Sequence, residues 1–326
     1  MEDVARAAGL SRSTVSRVFT DGEKVSPDAQ IKVREAAAAL GYVPNLVASE
    51  LAGRRPTQLG LVIRDATNPA YGLLHDEMNR AVEDVGRSLV TVTAYKHEYG
   101  GAELRGMRRL LGMRVAGLFV STGVTSIDEL TQAGNGVPLL ILGRPNDDPA
   151  IESASYDERG HGRMMAEHVA EHGHRRAAVL LAPALYSRVF RLRMESFLDR
   201  ARELGVTCRT IDLLPVHEGA ARALDAAAAD DLTCIVCPVD YVALDLLRAA
   251  RARGVRVPED VSVVGFDGVA DGLDLIGLTT LEVPIRATAR DAVQRMVRRL
   301  DTGEAPERMH GLHRGRIMPG RTLARV

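Results

Sequence analysis

Leu10–Phe19, L-S-R-S-T-V-S-R-V-F, is the stretch that gives the rest of the chain its meaning. Ser11 can cap a helix here, because its hydroxyl accepts a hydrogen bond from one of the N–H groups that lack an intrahelical partner. Val15, Val18 and Phe19 then fall on one stripe, and Arg12, Ser13, Ser16 and Arg17 on the other. The first stripe asks for a core. The second carries two arginines and no acid. Arginine donates paired hydrogen bonds to guanine edges, and hydroxyls reach phosphates or bases. Amphipathic helices of this kind are often only solvated surface, so the neighbouring sequence decides.

Residues 2–8 read as a short helix with Val4, Ala5 and Ala8 inward and Gly9 at its end. A tight turn and the Ser11 helix follow, which is helix–turn–helix spacing. A polar loop, Thr20–Val25, leads to Ser26-Pro27, a cap followed by proline at the first helical position. The third helix, 27–40, buries Val33, Ala36, Ala37 and Leu40, and Gly41 ends it. Three such helices make a core of ~45 residues, near the lower limit for independent folding. Leu46–Arg55 forms a fourth helix between Asn45 and Gly53. With fewer than ~12 residues it is marginal in isolation.

From Gln58 onward apolar runs alternate with amphipathic stretches. The runs are 59–63, 89–93, 115–120, 138–142, 177–181, 233–237 and 261–266. The helical stretches lie near 70–86, 101–112, 126–134, 159–173, 188–204, 218–229 and 240–254. This alternation predicts an α/β body with buried parallel strands in two doubly wound units. A last helix, 285–301, and a late strand near 312–318 return across the pair.

The 326 residues suit two or three domains, and a net charge of −1 removes any global basic signature. The local signal remains: residues 51–64 carry Arg54, Arg55 and Arg64 with no carboxylate. The start Met1-Glu2-Asp3 leads into no apolar segment, and no run approaches membrane-spanning length, so a cytoplasmic protein is expected. Three cysteines do not suggest a disulfide framework. Cys234 and Cys237 have C-x-x-C spacing, but on a strand they point to opposite faces and read as core residues. His168, His172 and His174 have metal-ligand spacing yet read better as the polar face of a helix ending at Gly173. No G-x-G-x-x-G, P-loop or G-x-S-x-G is present. A Rossmann-type enzyme is therefore disfavoured, and neither metal nor cofactor is expected. A transport binding protein would share the body but not residues 1–57.

Over essentially its whole length the chain resembles the LacI/GalR family of bacterial transcription regulators. The likeness is carried by D-V-A-R-A-A-G-L-S-R-S-T-V-S-R-V (3–18), V-S-P-D-A-Q-I-K-V-R-E-A-A-A-A-L-G-Y-V-P-N (25–45) and A-S-E-L-A-G-R-R (48–55). Then come L-G-L-V-I-R-D-A-T-N-P-A-Y (59–71), H-G-H-R-R-A-A (172–178), V-P-E-D-V-S-V-V-G-F-D (257–267) and L-T-T-L (278–281). The resemblance implies a helix–turn–helix headpiece over 1–43, a hinge helix and linker over 44–57, and a two-lobed effector and dimerisation domain of periplasmic-binding-protein type over 58–326. One lobe would comprise about 58–157 plus 285–311, and the other about 158–283 plus 312–326. It further implies a repressor that binds a pseudo-palindromic double-stranded operator as a homodimer, a tetramer also being compatible, and that a small-molecule effector such as a sugar switches. No membrane partner is implied.

The DNA-contacting candidates are Ser11, Arg12, Ser13, Thr14, Ser16 and Arg17 in the headpiece, and Asn45, Ala48, Leu51 and Arg54 in the hinge. Leu51 would wedge into the minor groove, or else pack in a dimer core. The effector-binding candidates are Asn68, Tyr71, Arg144, Asp157, Arg193, Asp240 and Asp267. Tyr71 is either a ligand platform or a lobe-packing aromatic. Four positions depart from the family pattern. Val239 and Val283 replace a common Asn and Gln, Gly143 replaces an Asp, and Ser196 replaces a Gly. A less polar or unusually shaped effector is the expected consequence.

Overall fold

The computed structural model describes residues 1–20, 24–42, 57–94, 101–304 and 309–326. The chain divides into two compact units, Met1–Pro56 and Thr57–Val326.

In the first unit α1 (Glu2–Ala8), α2 (Arg12–Thr20) and α3 (Pro27–Ala39) close on a core of Val4, Ala5, Val15, Val18, Val33 and Ala37. α1 ends at Gly9, whose φ of +66° is the left-handed conformation that glycine adopts without a steric penalty. The Ser11 hydroxyl accepts a hydrogen bond from the Thr14 N–H at 3.1 Å, which forms the expected cap of α2. Leu40 departs from expectation. α3 stops at Ala39, and Leu40, beyond its last turn, is 50% exposed. Tyr42 packs on the core instead, with its ring 6.0 Å from that of Phe19.

The second unit contains two six-stranded sheets. The first is built from β1 (Gln58–Ile63), β2 (Ser88–Thr93), β3 (Gly117–Val120), β4 (Leu139–Leu142), β5 (Glu152–Tyr156) and β11 (His310–His313). Its strands are parallel, in the order β11-β5-β4-β3-β1-β2. The second takes β6 (Arg176–Leu181), β7 (Thr207–Asp212), β8 (Cys234–Val236), β9 (Ser262–Asp267), β10 (Thr279–Glu282) and β12 (Arg316–Met318), in the order β12-β10-β9-β8-β6-β7. Only β12, which pairs with β10, runs antiparallel there. The first lobe carries α4 (Pro69–Asp84), α5 (Gly101–Gly112), α6 (Ile127–Gly134) and the returning α12 (Ile285–Thr302). The second carries α7 (Glu158–Glu171), α8 (Arg188–Glu203), α9 (Val216–Ala229), α10 (Asp240–Ala252) and a single turn, α11 (Leu273–Ile276).

The one late strand expected near 312–318 is two strands, β11 and β12, one in each sheet. The chain therefore crosses between lobes after β5, after β10 and after β11. The crossings are tied to one another and to the lobes. Asp157 N–H donates to the His313 carbonyl at 2.8 Å, and Val283 N–H to the Asp267 carbonyl at 3.0 Å. Gly315 N–H donates to Nε2 of the buried His161 at 2.7 Å. Cys234 and Cys237 are buried in two different hydrophobic clusters on opposite sides of their sheet, and burial pushes both thiols up.

α7 and α8 pack closely because Gly162 has no side chain. A Cβ there would lie 2.2 Å from the Arg193 carbonyl oxygen and 3.0 Å from the Ser196 Cβ. Ser196, one of the departures from the family pattern, belongs to this helix contact, and its hydroxyl donates to the Arg159 carbonyl at 2.7 Å. Since neither backbone can yield cheaply, Gly162→Ala should lower unfolding stability by roughly 1–3 kcal/mol. Urea denaturation followed by circular dichroism checks this.

Candidate functional site

Two surfaces carry the candidate residues. In the headpiece, Ser11, Arg12, Ser13 and Arg17 are exposed and Thr14 and Ser16 half-buried, while Val15 and Val18 face the core. α2 thus presents its basic stripe outward. The Arg12 guanidinium lies 3.5 Å from the Glu2 carboxylate, both side chains exposed. Such a surface pair is worth ~0–1 kcal/mol, so a phosphate or base can displace it. Asn45, Ala48, Leu51 and Arg54 lie outside the described residues.

The second surface is a cavity of about 80 Å³ between the lobes of the Thr57–Val326 unit. It sits at the carboxyl ends of the strands, where doubly wound sheets bind ligands. Arg64, Asp65, Asn68, Tyr71, Thr122 and Tyr156 reach it from the first lobe, and Glu158, Tyr186, Phe190, Arg193, Tyr241 and Asp267 from the second. Of the seven effector candidates, Asn68, Tyr71, Arg193 and Asp267 line this wall.

Arg193 is at its centre. Ser187 caps α8, and Arg193 then falls on the buried face of that helix, 2% exposed. Its Nε and Nη2 donate to the two Glu158 oxygens at 2.6 and 3.0 Å. Its Nη1 donates to the Pro238 carbonyl at 2.8 Å and to Asp267 at 3.2 Å. Four of its five N–H groups are thus spent within the protein. The Phe266 ring covers it, with its centroid 4.9 Å from the guanidinium carbon. Sequence reasoning assigns Arg193 to gripping a ligand; in the fold it is chiefly a strut, with one N–H left over. Burial raises the Glu158 carboxyl, but Arg193 overcomes this and holds it below its usual range. Asp267 goes the other way: burial pushes it up to about 6 against the pull of Arg193. Its backbone is held at φ +108°, a conformation that non-glycine residues rarely adopt and that marks functional sites.

Three candidates lie off this wall. Asp157 caps α7, accepting from Gly160 N–H at 2.8 Å, and faces Arg314 at 3.4 Å. Asp240 is buried behind the site, accepting from Gly268 N–H and the Thr280 hydroxyl at 2.7 Å each, so it shapes the turn that presents Asp267. Burial and the Asp267 charge push its carboxyl up to about 8. Arg144 points into a neighbouring cavity and donates to the Thr125 carbonyl at 2.7 Å.

The aromatic wall is what sequence reasoning missed. Tyr156, Tyr186, Phe190 and Tyr241 join Tyr71 around the cavity. Their common signal is position: each lies at a strand end, in a strand–helix loop or in the first helical turn after one. Tyr71 fits both of its readings, because it lines the cavity and packs on the main core; burial pushes its hydroxyl up to about 12. Gly143 gives room to an aromatic neighbour, since a Cβ there would lie 3.2 Å from the Tyr156 ring. Val283 lines the cavity, whereas Val239 is buried in the second lobe's core. Two of the departures thus make the wall less polar and a third leaves it untouched.

The lobes are also latched across the cleft. Arg64 of the first lobe donates to the Tyr186 carbonyl of the second and lies 5.6 Å from its ring centroid; within the second lobe the Tyr186 and Tyr241 hydroxyls are 3.0 Å apart. Arg188 N–H donates to the Gly123 carbonyl at 2.9 Å. Gly123 is held by the buried Glu103, which also accepts the Thr122 and Thr125 hydroxyls.

Residues 1–45 match the family of bacterial regulatory proteins of lacI type, and residues 166–323 a periplasmic-binding-protein-like domain. The chain is 32% identical to the HTH-type transcriptional regulator CelR of Thermobifida fusca, over 94% of this chain and 93% of that one. The chain belongs to the LacI family. It is 30% identical to the lactose operon repressor of Escherichia coli (strain K12), over 93% of this chain and 85% of that protein. It is similar to a lac repressor dimer bound to operator and the anti-inducer ONPF, at 27% identity and a TM-score of 0.83 over 99% of this chain and 98% of that one. It is also similar to a CelR–cellobiose complex, at 27% identity and a TM-score of 0.69 over 98% of each chain. As a LacI-family member it is a DNA-binding transcriptional regulator with an effector-binding domain. Among the described residues no helix is long and apolar enough to cross a membrane, and no group of three or more His, Cys, Asp or Glu could hold a metal ion.

Asp240 gives a pH test. Its carboxyl is raised from 3.8 in the ordinary state to about 8 when buried. The stability it contributes is therefore full below pH about 4 and is lost as pH rises through about 8. Asp240→Asn should remove this loss, so that its melting temperature relative to wild type climbs between pH 5 and 9. Parallel pH profiles with unchanged spacing would contradict the assignment.

Proposed function

We propose that this LacI-family member is a repressor that binds a pseudo-palindromic operator as a homodimer and is switched by a small metabolite held between its lobes. The observation that carries the reading is the cavity itself. Both lobes build it, at the end of the strands, around a buried Arg193 and a strained Asp267. At about 80 Å³ it is well below the ~300–1,000 Å³ of ordinary ligand sites. A sugar-sized effector would thus enter with the lobes further apart, and occupancy and lobe spacing are linked. A ligand shifts such an equilibrium only through its differential affinity for the two geometries.

The effector we infer is a sugar or related ring-shaped metabolite that lays apolar faces on Tyr71, Tyr156 and Phe190. The similarity to the cellobiose complex of CelR supports the sugar class, and the Gly143 and Val283 substitutions favour a ligand with fewer hydroxyl contacts than a plain pyranose. Asn68, Tyr71, Arg193 and Asp267 are its proposed first contacts. Operator reading is assigned to Arg12, Ser13 and Arg17, with Ser11, Thr14 and Ser16 on phosphates, and Leu51 as the minor-groove wedge with Asn45, Ala48 and Arg54 beside it. The domains proposed are the headpiece 1–43, the linker 44–57 and the effector and dimerisation region 58–326. A cytoplasmic, non-enzymatic protein follows from this role.

Footprinting on the DNA upstream of the protein's own gene, with and without a panel of mono- and disaccharides, tests the proposal. A protected pseudo-palindrome whose occupancy one sugar changes is the expected result; no protected site, or no response to any panel member, counts against it. Arg12→Ala should weaken operator binding by ~1–3 kcal/mol, about 5- to 150-fold, with the melting temperature unchanged. Leu51→Gly should weaken operator binding while leaving effector binding intact, and unchanged operator affinity would remove the wedge.

A further inference from the structure

Beside the tyrosine-lined cleft lies a second cavity of about 230 Å³, lined by Arg144, Asn146, Asp147, Arg188, Val189 and Leu192 among others. Val189 lines both cavities, so the two adjoin. Arg144 comes from the loop after β4 in the first lobe and Arg188 from the first residue of α8 in the second.

Arg144 is 6% exposed, nearly as buried as Arg193, but its surroundings differ. Two carboxylates hold Arg193. Arg144 has one hydrogen bond, from Nη1 to the Thr125 carbonyl, and among the described residues neither it nor Arg188 forms an ion pair. The acids nearby are committed elsewhere or stand at the rim. Glu103 is bonded to Thr122 and Thr125, and Glu129 accepts from the Ser126 N–H and hydroxyl at 3.0 and 2.6 Å. Asp147 is exposed at the cavity edge. The Asn146 side chain is used up on backbone, donating to the Ile151 carbonyl at 3.0 Å and accepting from Asp148 N–H at 3.1 Å. Burial and the Arg188 charge pull the Arg144 guanidinium below its usual range, and the attraction of Glu103 does not overcome them. A buried cation without a carboxylate partner is costly, and the protein adds a second cation beside it. The helix α8 begins at the same place, with its positive end there.

We propose that this cavity is an anion subsite, distinct from the tyrosine-lined cleft, in which Arg144 and Arg188 from opposite lobes take one phosphate or carboxylate group. Arg144 supplies the fork geometry that matches such an anion, and Arg188 closes on it from the other lobe. The anion is either free or the charged end of a ligand that continues past Val189 into the main cleft. In both cases it bridges the lobes and favours their closed arrangement.

The test is isothermal titration of the full chain with inorganic phosphate, at ionic strength held constant with chloride. Wild type should bind one phosphate per chain. Arg144→Met should lose at least tenfold in affinity, and Arg188→Ala, at an exposed position that leaves the core intact, at least threefold. Arg144→Met should also melt no lower than wild type in chloride alone, because it removes an unpaired buried charge. Phosphate binding that is absent in wild type, or equal in wild type and both variants, overturns the proposal. Phenyl phosphate separates the two sources. Affinity equal to that of phosphate identifies a free anion, whereas affinity at least tenfold tighter, with the gain abolished by Phe190→Ala, identifies one ligand spanning both cavities. No DNA is present in these titrations, so they stand whether or not the operator reading holds.

Discussion

The second unit is organised around one buried guanidinium. Arg193 sits between Glu158 and Asp267, and through them it touches each place where the chain passes from lobe to lobe. Glu158 follows the first crossing directly. Asp267 accepts at its carbonyl from Val283 on the second. The buried His161, whose Nδ1 lies 3.8 Å from Glu158, accepts at Nε2 from Gly315 on the third. Bringing these charges out of water is expensive, and the arrangement persists only because nearly all their hydrogen-bonding capacity is used. Removing one member of such a cluster leaves an uncompensated buried charge and typically costs ~3–5 kcal/mol. The clamp therefore fixes the geometry of the crossings at the point where a ligand would meet the protein.

That arrangement divides the cleft into a deep wall and a rim. The deep wall is held by Arg193, by Asp240 behind Asp267, and by Glu103 beneath the loop around Gly123. The rim is held by weaker links: the contact of Arg64 with Tyr186 and the single bond from Arg188 to Gly123. The rim contacts join the two lobes, whereas Glu158, Arg193 and Asp267 of the clamp all belong to the second. The carboxyls of Asp240 and Asp267 are both raised by burial, and the Asp267 charge raises Asp240 further.

The headpiece follows different physics. Its core is six small side chains, and its basic stripe faces outward because the apolar stripe of α2 has only one place to go. The Arg12–Glu2 pair there is exposed and weak, which leaves Arg12 available to a stronger acceptor.

Much of the architecture was legible in the residue order. The three headpiece helices, the cap at Ser11 and the central strands of both sheets follow from apolar periodicity and end signals, because those features are local. Two strands were harder to see. β7, T-C-R-T-I-D, is a mostly exposed edge strand, and β10, T-T-L-E, is an interior strand but short and threonine-rich, so neither makes an apolar run. Leu40 matches the helical period but lies past the helix end. At the site, motif positions located Arg193 and Asp267 but not their roles. Whether an arginine grips a ligand or braces a fold depends on which carboxylates reach it, and Glu158, 35 residues away, is invisible to spacing. Tyr156 comes from one lobe and Tyr186 and Tyr241 from the other, so they line one cavity only because the two lobes face each other. By itself the sequence determined the family, most of the order of elements and the outward basic stripe of α2, all set by short-range pattern. Only the tertiary structure decided which polar groups are spent on one another and which are left for a ligand, because burial and pairing are properties of distant residues brought together.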